Sequence, residues 1–116
     1  FLMGFQSNVY KYLKKAEVLV LSSLWEEIGF VIVEAAACNL NIISSNCKNG
    51  PKEFLLNGKG GYLFENNNSN DFLLKFNKFM KDDLSDKFKK KILAKRETKK
   101  FSFLYHFNSF TKILSN

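Results

Sequence analysis

A short apolar run that leads through a turn into a helical pattern constrains the fold of this chain more than any other feature. Residues 17–22 read Glu-Val-Leu-Val-Leu-Ser, as expected of a buried parallel strand covered on both faces. From Gly29 the apolar spacing becomes helical, and asparagine at Cys38-Asn39 is a plausible helix stop. The predicted helix places on one stripe Phe30, Val33, Ala36 and Ala37. A strand followed by such a helix predicts an α/β domain.

Two glutamates flank this turn, with seven residues between them. Glu26 falls in the loop at the carboxyl end of the strand, and Glu34 falls in the following helix. Ligands of open α/β sheets bind at this edge, where the free N–H groups at a helix start, here around Gly29 and Phe30, suit a phosphate. A carboxylate beyond the phosphate can accept hydrogen bonds from ribose or sugar hydroxyls. The pattern is thus compatible with a bound sugar nucleotide, although two glutamates at this spacing also occur by chance.

The order of elements around the glutamates resembles that of the retaining glycosyltransferases of the GT-B fold, in the large bacterial group called family 4 or group 1. Their sugar-donor domain carries a strand ending in serine, then Glu, seven residues, Glu-Ala, a small-residue turn and another strand. One departure is Glu27-Ile28, which stands where Gly-Phe is usual before Gly29. The segments that carry the resemblance are Met3-Gly4-Phe5 as a short strand and turn, a helix over residues 8–16, residues 18–23, Glu26, Glu34-Ala35, residues 42–45, the Gly-Pro-x-Glu segment within residues 49–55, and residues 58–64.

The resemblance implies a fold and a role for each site residue. The fold is a Rossmann-like parallel sheet flanked by helices, part of the C-terminal domain of a GT-B enzyme, with a helical C-terminal tail. Glu34 is expected to bind the ribose, and Glu26, the candidate catalytic residue, is expected to lie at the donor sugar and its reacting centre. Backbone amides of Ile28, Gly29 and Phe30 are expected to meet the sugar hydroxyls or the diphosphate.

The resemblance also implies the substrates. They are a nucleoside diphosphate sugar as donor and a polysaccharide, lipopolysaccharide or lipid-linked glycan as acceptor, with no metal and no cofactor. The residues agree with the absence of a metal site, because Cys38 and Cys47 lack metal-ligand spacing and His106 is the only histidine. The alternative function is a non-catalytic Rossmann-like interaction module with a basic membrane-surface tail.

Length limits what this chain can do alone. Its 116 residues suffice for one small domain, whereas a GT-B enzyme holds its substrates between two. We expect residues 1–80 to form part of the nucleotide-sugar domain and residues 81–116 to form its basic, aromatic-rich C-terminal helices. The acceptor domain and the family's Arg and Lys for the diphosphate are expected elsewhere in a longer protein, since no Arg precedes Arg96. Alone, the chain is expected to bind the sugar donor poorly and to catalyse nothing.

Positive charge is concentrated at the C-terminal end. Residues 75–116 carry twelve Lys or Arg against four Asp or Glu, whereas residues 1–74 carry six against seven. A polar loop at residues 66–70 is expected to cap a helix that precedes this tail. The family resemblance favours helices in the tail as well, although residues 101–107 also alternate as a strand would.

Three interpretations of the tail stay open. In the first, a solvated basic helix packs Leu84, Phe88 and Ile92 inward and leads to a final helix that docks on the rest of the enzyme. The second is contact with an anionic membrane surface, which basic and aromatic residues favour. The third, nucleic-acid binding, is disfavoured because no recognised module accompanies the charge.

The predicted location is the cytoplasm, including the cytoplasmic face of the inner membrane. The final helix would carry on one stripe Phe103, Phe107, Phe110 and Leu114.

Overall fold

Three parallel strands form the centre of the fold in the computed structural model, which describes residues 2–115 and the side chains of residues 2–102 and 105–115. The strands are β1 (Val18–Leu21), β2 (Asn41–Ser45) and β3 (Tyr62–Phe64), in the order β1-β2-β3. Parallel neighbours need crossover connections, which helices supply here. The predicted α/β fold with a parallel sheet flanked by helices is therefore confirmed.

Helices lie on both faces of this sheet. One face carries α2 and α5, whose apolar residues join those of β2 in one core, and the other face carries α4, which packs on β2 and β3. No helix of the described chain is long and apolar enough to cross a bilayer. The helices are α1 (Tyr10–Leu13), α2 (Phe30–Ala37), α3 (Pro51–Phe54), α4 (Ser69–Lys81), α5 (Leu84–Glu97) and α6 (Phe103–Leu114), with 3-10 turns at Leu56–Gly58 and Thr98–Phe101.

The N-terminal segment agrees only in part with its prediction. The helix expected over residues 8–16 is present as the shorter α1. Met3-Gly4-Phe5, which was expected to contain a short strand, forms none, although Gly4 has the positive φ of a turn (60°). Its neighbours Leu2 and Phe5 are fully exposed, so no packing holds the segment extended.

The fully buried strand is β2, and the expectation that β1 is covered on both faces is wrong. All five residues of β2 are buried, whereas β1 lies at the sheet edge with the Val20 side chain 42% exposed. The cause is the position of α4, which packs over β2 and β3 and leaves Val20 uncovered. Apolar content alone does not distinguish an edge strand from a central one.

Helix α2 has the predicted bounds but a different buried face. It buries Ile32, Ala35 and Ala36, and the predicted Phe30 is 63% exposed and contacts the ring of Phe101. The buried set follows the i, i+3, i+4 spacing, and its two alanines permit the close packing that a phenylalanine would prevent. The helix stop is confirmed, because Asn39 adopts a left-handed conformation (φ 63°) just after the helix.

Helix α4 confirms the predicted cap and packs two of its aromatic residues on β3. The side chain of Asn68 accepts a hydrogen bond from the amide of Asp71 (3.0 Å). Phe72 and Phe79 then pack on the aromatic rings of β3, Phe64 and Tyr62, with centroid distances of 5.2 and 5.7 Å. These rings form the core on this face of the sheet.

Helix α5 turns inward a face different from the one predicted. Leu84 and Phe88 are 84% and 61% exposed, and Ile92 is exposed as well, so the expectation that they pack inward is wrong. The buried residue of α5 is Ala94, whose backbone lies 3.3 Å from the position that a Cβ on Gly60 would occupy. The buried Ala94 thus lies where α5 passes close to Gly60.

Helix α6 confirms the helical assignment of the last segment. The described apolar side chains of this helix are exposed, including Phe107, Phe110 and Leu114 of the predicted stripe. Phe103, the first member of that stripe, has its side chain outside the described residues. Within the described chain, α6 meets chiefly the turn Thr98–Phe101.

Candidate functional site

The loop between β1 and α2 holds Glu26 at the carboxyl edge of the sheet. The Ser23 hydroxyl donates a hydrogen bond to Glu26 Oε1 (2.7 Å), and the buried Ser45 hydroxyl donates to the carbonyl oxygen of Ser23 (2.5 Å). Ser45 ends β2, which is parallel to β1, so both strands end at this edge. Glu26 Oε2 accepts no hydrogen bond from residues 2–115 and remains able to accept one from a ligand.

Gly29 forms the start of α2 and leaves it without a side-chain cap. Its left-handed conformation (φ 70°) favours glycine because other residues lack room for their Cβ. The carbonyl of Gly29 accepts the first helical hydrogen bond from Ile32 (2.8 Å), and no side chain caps the amides before it. An uncapped helix start, with the positive end of the helix dipole, suits an anion. The flanking Ile28 and Phe30 are exposed.

Glu34 lies on the second turn of α2, about 6 Å along the helix axis from Phe30. Its side chain is half-buried, on the side of the helix away from Ile32 and Ala36. No residue of the described chain donates a hydrogen bond to its carboxylate. The structure thus places Glu26, Ile28, Gly29 and Phe30 in one continuous segment, with Glu34 one helical turn beyond it. The role predicted for each of them stays a prediction.

A second segment, Gly50-Pro51, packs against the backbone of this loop. A Cβ on Gly50 would lie 2.8 Å from the carbonyl oxygen of Glu27 and 3.0 Å from that of Ile28, so the two backbones touch. Pro51 begins α3, is buried, and lies against Gly29. The Gly-Pro-x-Glu segment carries part of the family resemblance, but its contact with the loop was not predicted. A glycine directly before a helix-starting proline was the available signal.

A cavity of about 210 Å³ opens beside Ile28 and extends to the turn after α5. Lys100 lies in its wall and pairs with Glu97, and this hydrogen bond raises the pKa of the lysine. The sequence did not predict that Lys100 lines this cavity, because Lys100 lies some seventy residues after Ile28 and stood out only as part of a basic run. The lining residues are Ile28, Asn49, Gly50, Glu53, Phe54, Glu97, Lys100 and Phe101.

One further hydrogen bond holds the loop, and the exposure of Trp25 and Cys47 shows which of these two neighbouring residues is buried. The Asn66 side-chain amide donates to the carbonyl of Leu24 (3.2 Å), joining the loop to the segment after β3. Trp25 is exposed and is therefore not a core residue. Cys47 is fully buried, with its sulfur 3.8 Å from the Ser45 hydroxyl, and so packs behind the loop.

A parallel α/β sheet with helices on both faces and an uncapped helix start at the carboxyl ends of its strands defines a Rossmann-like class of domain. Comparison with known families makes the assignment specific. The sequence model of the glycosyl transferases group 1 family matches residues 1–99, and the chain belongs to this family.

Two curated relatives match most of the chain. The first is N-acetylgalactosamine-N,N'-diacetylbacillosaminyl-diphospho-undecaprenol 4-alpha-N-acetylgalactosaminyltransferase of Campylobacter jejuni, 30% identical over 82 residues, which are 71% of this chain and 22% of the relative. The second is poly(ribitol-phosphate) alpha-N-acetylglucosaminyltransferase of Staphylococcus aureus, 31% identical over 84 residues, which are 72% of this chain and 17% of the relative. The chain spans less than a quarter of the length of these relatives.

Solved structures agree with the family. The crystal structure of TarM aligns with a TM-score of 0.80 and 25% identity, covering 100% of this chain and 23% of that one. The C-terminal domain of a glycosyl transferase group 1 family protein (LpcC) from Francisella tularensis aligns with a TM-score of 0.73 and 21% identity, covering 87% of this chain and 53% of that one. The fold is that of the C-terminal domain of GT-B glycosyltransferases, as predicted.

Proposed function

We propose that this chain belongs to the sugar-donor domain of a retaining glycosyltransferase and that the segment from Glu26 to Glu34 binds a nucleoside diphosphate sugar. One observation carries the proposal. The Glu26 carboxylate is fixed by Ser23 at the carboxyl edge of the sheet, and the uncapped start of α2 follows it within four residues. A fixed acceptor for hydroxyl groups thus stands beside donors suited to a phosphate.

The chemistry follows from the charges that develop during transfer. Breaking the bond between the anomeric carbon and the diphosphate leaves positive charge on the sugar ring and negative charge on the leaving phosphate. Amides at Ile28, Gly29 and Phe30 stabilise the negative charge, while Glu26 orients the sugar and stabilises the positive charge. Glu34 accepts hydrogen bonds from the ribose. We assign Glu26 to positioning and electrostatics, not to nucleophilic attack, and we propose transfer without a metal.

The acceptor we propose is a polysaccharide, a lipopolysaccharide or a lipid-linked glycan. The names of the two relatives support this class, since one includes a diphospho-undecaprenol-linked glycan and the other poly(ribitol-phosphate). Because the chain spans so little of their length, we propose that the acceptor binds chiefly to a further domain of a longer protein.

Ligand titration of the 116-residue chain, followed by amide NMR spectra at millimolar ligand, tests the sugar-donor site. The ligands are UDP, GDP, ADP and dTDP, each with and without an attached hexose. We expect Glu34→Ala to lower the affinity for both the bare nucleotide and its sugar conjugate, and Glu26→Ala to lower the affinity for the sugar conjugate alone. The expected loss is about tenfold for each lost charge-assisted hydrogen bond. The matched control is Glu27→Ala, an exposed neighbour with no assigned role.

Two results would contradict the proposed site. In the first, no ligand of the panel binds the parent chain even at millimolar concentration, where the weak binding expected of the chain alone is still visible in amide NMR spectra. In the second, a ligand binds but neither Glu26→Ala nor Glu34→Ala changes its affinity, which would favour the non-catalytic interaction module.

The exposed face of α6 favours a second function, contact with an anionic membrane surface on the cytoplasmic side. Phe107, Phe110, Ile113 and Leu114 are exposed on this helix, and residues 75–116 supply eight net positive charges. An apolar helix that follows a basic segment can bind the lipid interface through apolar burial and through attraction of the basic segment to anionic headgroups. We propose this contact as an addition to the sugar-donor site.

Co-sedimentation with vesicles tests the membrane contact. We expect the chain to sediment with phosphatidylglycerol-containing vesicles and to lose this binding in high salt or when residues 103–116 are removed. Equal binding by the shortened chain would contradict the role of α6. No binding by either form would favour the interpretation in which α6 docks on another part of the enzyme.

A further inference from the structure

We infer that Ser23 and Ser45 act together as positioning residues for Glu26, so that Ser45 determines how tightly the sugar part of a nucleotide sugar is held without touching it. This inference rests on the proposed function. It concerns the two hydroxyl groups that connect the end of β2 to the Glu26 carboxylate.

The connection consists of two short hydrogen bonds in series. The Ser45 hydroxyl donates to the Ser23 carbonyl (2.5 Å), and the Ser23 hydroxyl donates to Glu26 Oε1 (2.7 Å). Ser45 is 1% exposed and belongs to the most buried strand of the sheet, so its hydroxyl is a fixed point. Hydroxyl-to-carboxylate bonds of this length are among the stronger hydrogen bonds in proteins. The carboxylate is therefore connected to the sheet through one intermediate residue.

Contacts on either side keep this short segment from moving as a unit. Asn66 donates to the carbonyl of Leu24 (3.2 Å), and the backbone of Gly50 touches the carbonyls of Glu27 and Ile28. The backbone is thus held at Leu24 and after Glu26, and what remains to be fixed is Ser23, which Ser45 holds, and the glutamate side chain. Ser23 supplies it by occupying Oε1, which leaves Oε2 to accept from a sugar hydroxyl.

A purely structural role would have a different consequence. If the two serines only stabilised the loop, their loss would disturb the adjoining helix start and weaken nucleotide and nucleotide sugar alike. A positioning role acts through Glu26 alone, and Glu26 is assigned to the sugar. The ratio of the affinity for a nucleoside diphosphate sugar to that for the bare nucleoside diphosphate therefore distinguishes the two roles.

The experiment measures this ratio for the 116-residue chain with the nucleotide of the panel that binds best and its hexose conjugate. We expect Ser23→Ala and Ser45→Ala to lower the ratio about tenfold, as Glu26→Ala does, while affinity for the bare nucleotide stays within about twofold. Ser23→Thr keeps the hydroxyl and should retain most of the ratio. In the double variant Ser23→Ala/Glu26→Ala, the two effects should not add, because both act through one carboxylate.

Matched controls exist for both serines. Ser44→Ala removes the hydroxyl of the adjacent buried serine, which donates only to the carbonyl of Ser45 (3.1 Å) on its own strand. Ser22→Ala removes an exposed hydroxyl next to Ser23. Both controls should leave the ratio unchanged. If Ser45→Ala fails to fold, Ser23→Ala at its half-buried position carries the test.

The outcomes separate this inference from the proposed function. If Glu26→Ala lowers the ratio and neither serine variant does, the inference is overturned while the sugar-donor site stands. Equal loss of affinity for both ligands in the serine variants also overturns it, since that is the structural result. If Glu26→Ala leaves the ratio unchanged, or if the parent chain binds no ligand of the panel, the proposed function fails and the inference fails with it.

Discussion

Replacement of Gly50 by alanine should disturb the site loop and lower stability together. A Cβ at this position would lie 2.8 Å from the carbonyl oxygen of Glu27, about 0.6 Å short of the 3.4 Å at which ordinary van der Waals contact begins. The carbonyl carbon and oxygen of Ile28 would each lie 3.0 Å from the same Cβ. These atoms are backbone, so a change of side-chain rotamer cannot relieve the clash, and the loop must move by roughly half an ångström.

The expected cost follows from the size of this clash. Overpacking of one methyl group into a tightly packed site costs about 1–3 kcal/mol. For a chain of this length that lowers the melting temperature by roughly 4 to 12 °C in a thermal scan followed by circular dichroism. Since Gly50 has a negative φ of −123°, the effect is steric and does not arise from a left-handed backbone.

A second glycine provides the matched control. A Cβ on Gly61 would lie 2.9 Å from the carbonyl of Ile42 and 3.0 Å from Leu55, but Gly61 precedes β3 at the edge of the sheet opposite the site. Both alanine variants should lose comparable stability, and only Gly50→Ala should also weaken nucleotide binding below its melting temperature. An unchanged melting temperature for Gly50→Ala would refute the steric reasoning. Equal loss of binding in Gly61→Ala would refute its connection to the site.

Three other predictions concern the remainder of the fold. Lys90→Met should lower the free energy of unfolding by about 1–3 kcal/mol in urea titrations, because the Lys90 ammonium donates to the carbonyls of Gly58 (3.0 Å) and Gly61 (3.2 Å). The exposed neighbour Lys89, paired with Asp86 at 3.3 Å, should tolerate the same change within about 0.5 kcal/mol. Tyr62→Phe should cost about 1 kcal/mol at pH 7 and less at pH 3. The reason lies in Asp82: its burial opposes ionisation, but hydrogen bonds from Lys78 and Tyr62 outweigh this and lower the pKa of the carboxyl. A carboxyl with a lowered pKa stabilises the fold above its unfolded pKa of about 4 and loses that contribution as the pH falls. If Tyr62→Phe costs the same free energy of unfolding at pH 7 and at pH 3, the assignment is contradicted. Removal of residues 103–116 should shift the melting temperature by no more than about 2 °C, because the described side chains of α6 are exposed, whereas a large drop would show that α6 packs on the domain.

Local signals explain the elements that could be predicted from sequence. The bounds of α2 follow from Gly29 and Asn39, both of which adopt left-handed conformations, and the start of α4 follows from the Asn68 cap. These residues act within a few positions of themselves, so their effect needs no knowledge of distant partners. The order of strand, turn and helix around Glu26 was visible for the same reason.

Non-local packing explains what could not be predicted. Leu84, Phe88 and Ile92 repeat every four residues, as a buried stripe would, yet α5 buries Ala94 instead, where the helix passes close to Gly60. The exposure of β1 likewise depends on which strands α4 covers, and no residue of β1 determines the position of that helix.

The site contains residues that local signals predict and residues that only non-local packing brings together. The glutamates and Gly29 lie in one short segment and were predicted, but the contacts of Ser45, Gly50 and Asn66 with that segment join residues up to 42 positions apart. The Ser45 contact had a usable signal. Ser22-Ser23 and Ser44-Ser45 each end a predicted parallel strand, and the carboxyl ends of parallel strands meet at one edge.

The open edge of β1 has a consequence for how the chain behaves in solution. Within the described residues, β1 pairs with β2 on one side only, which leaves the outward backbone N–H and C=O groups of Val18–Leu21 to the solvent. An uncharged edge strand of this kind is a template for pairing with a strand of another molecule. We expect the isolated chain to associate at high concentration through this edge, and an added strand would also cover the apolar Val20.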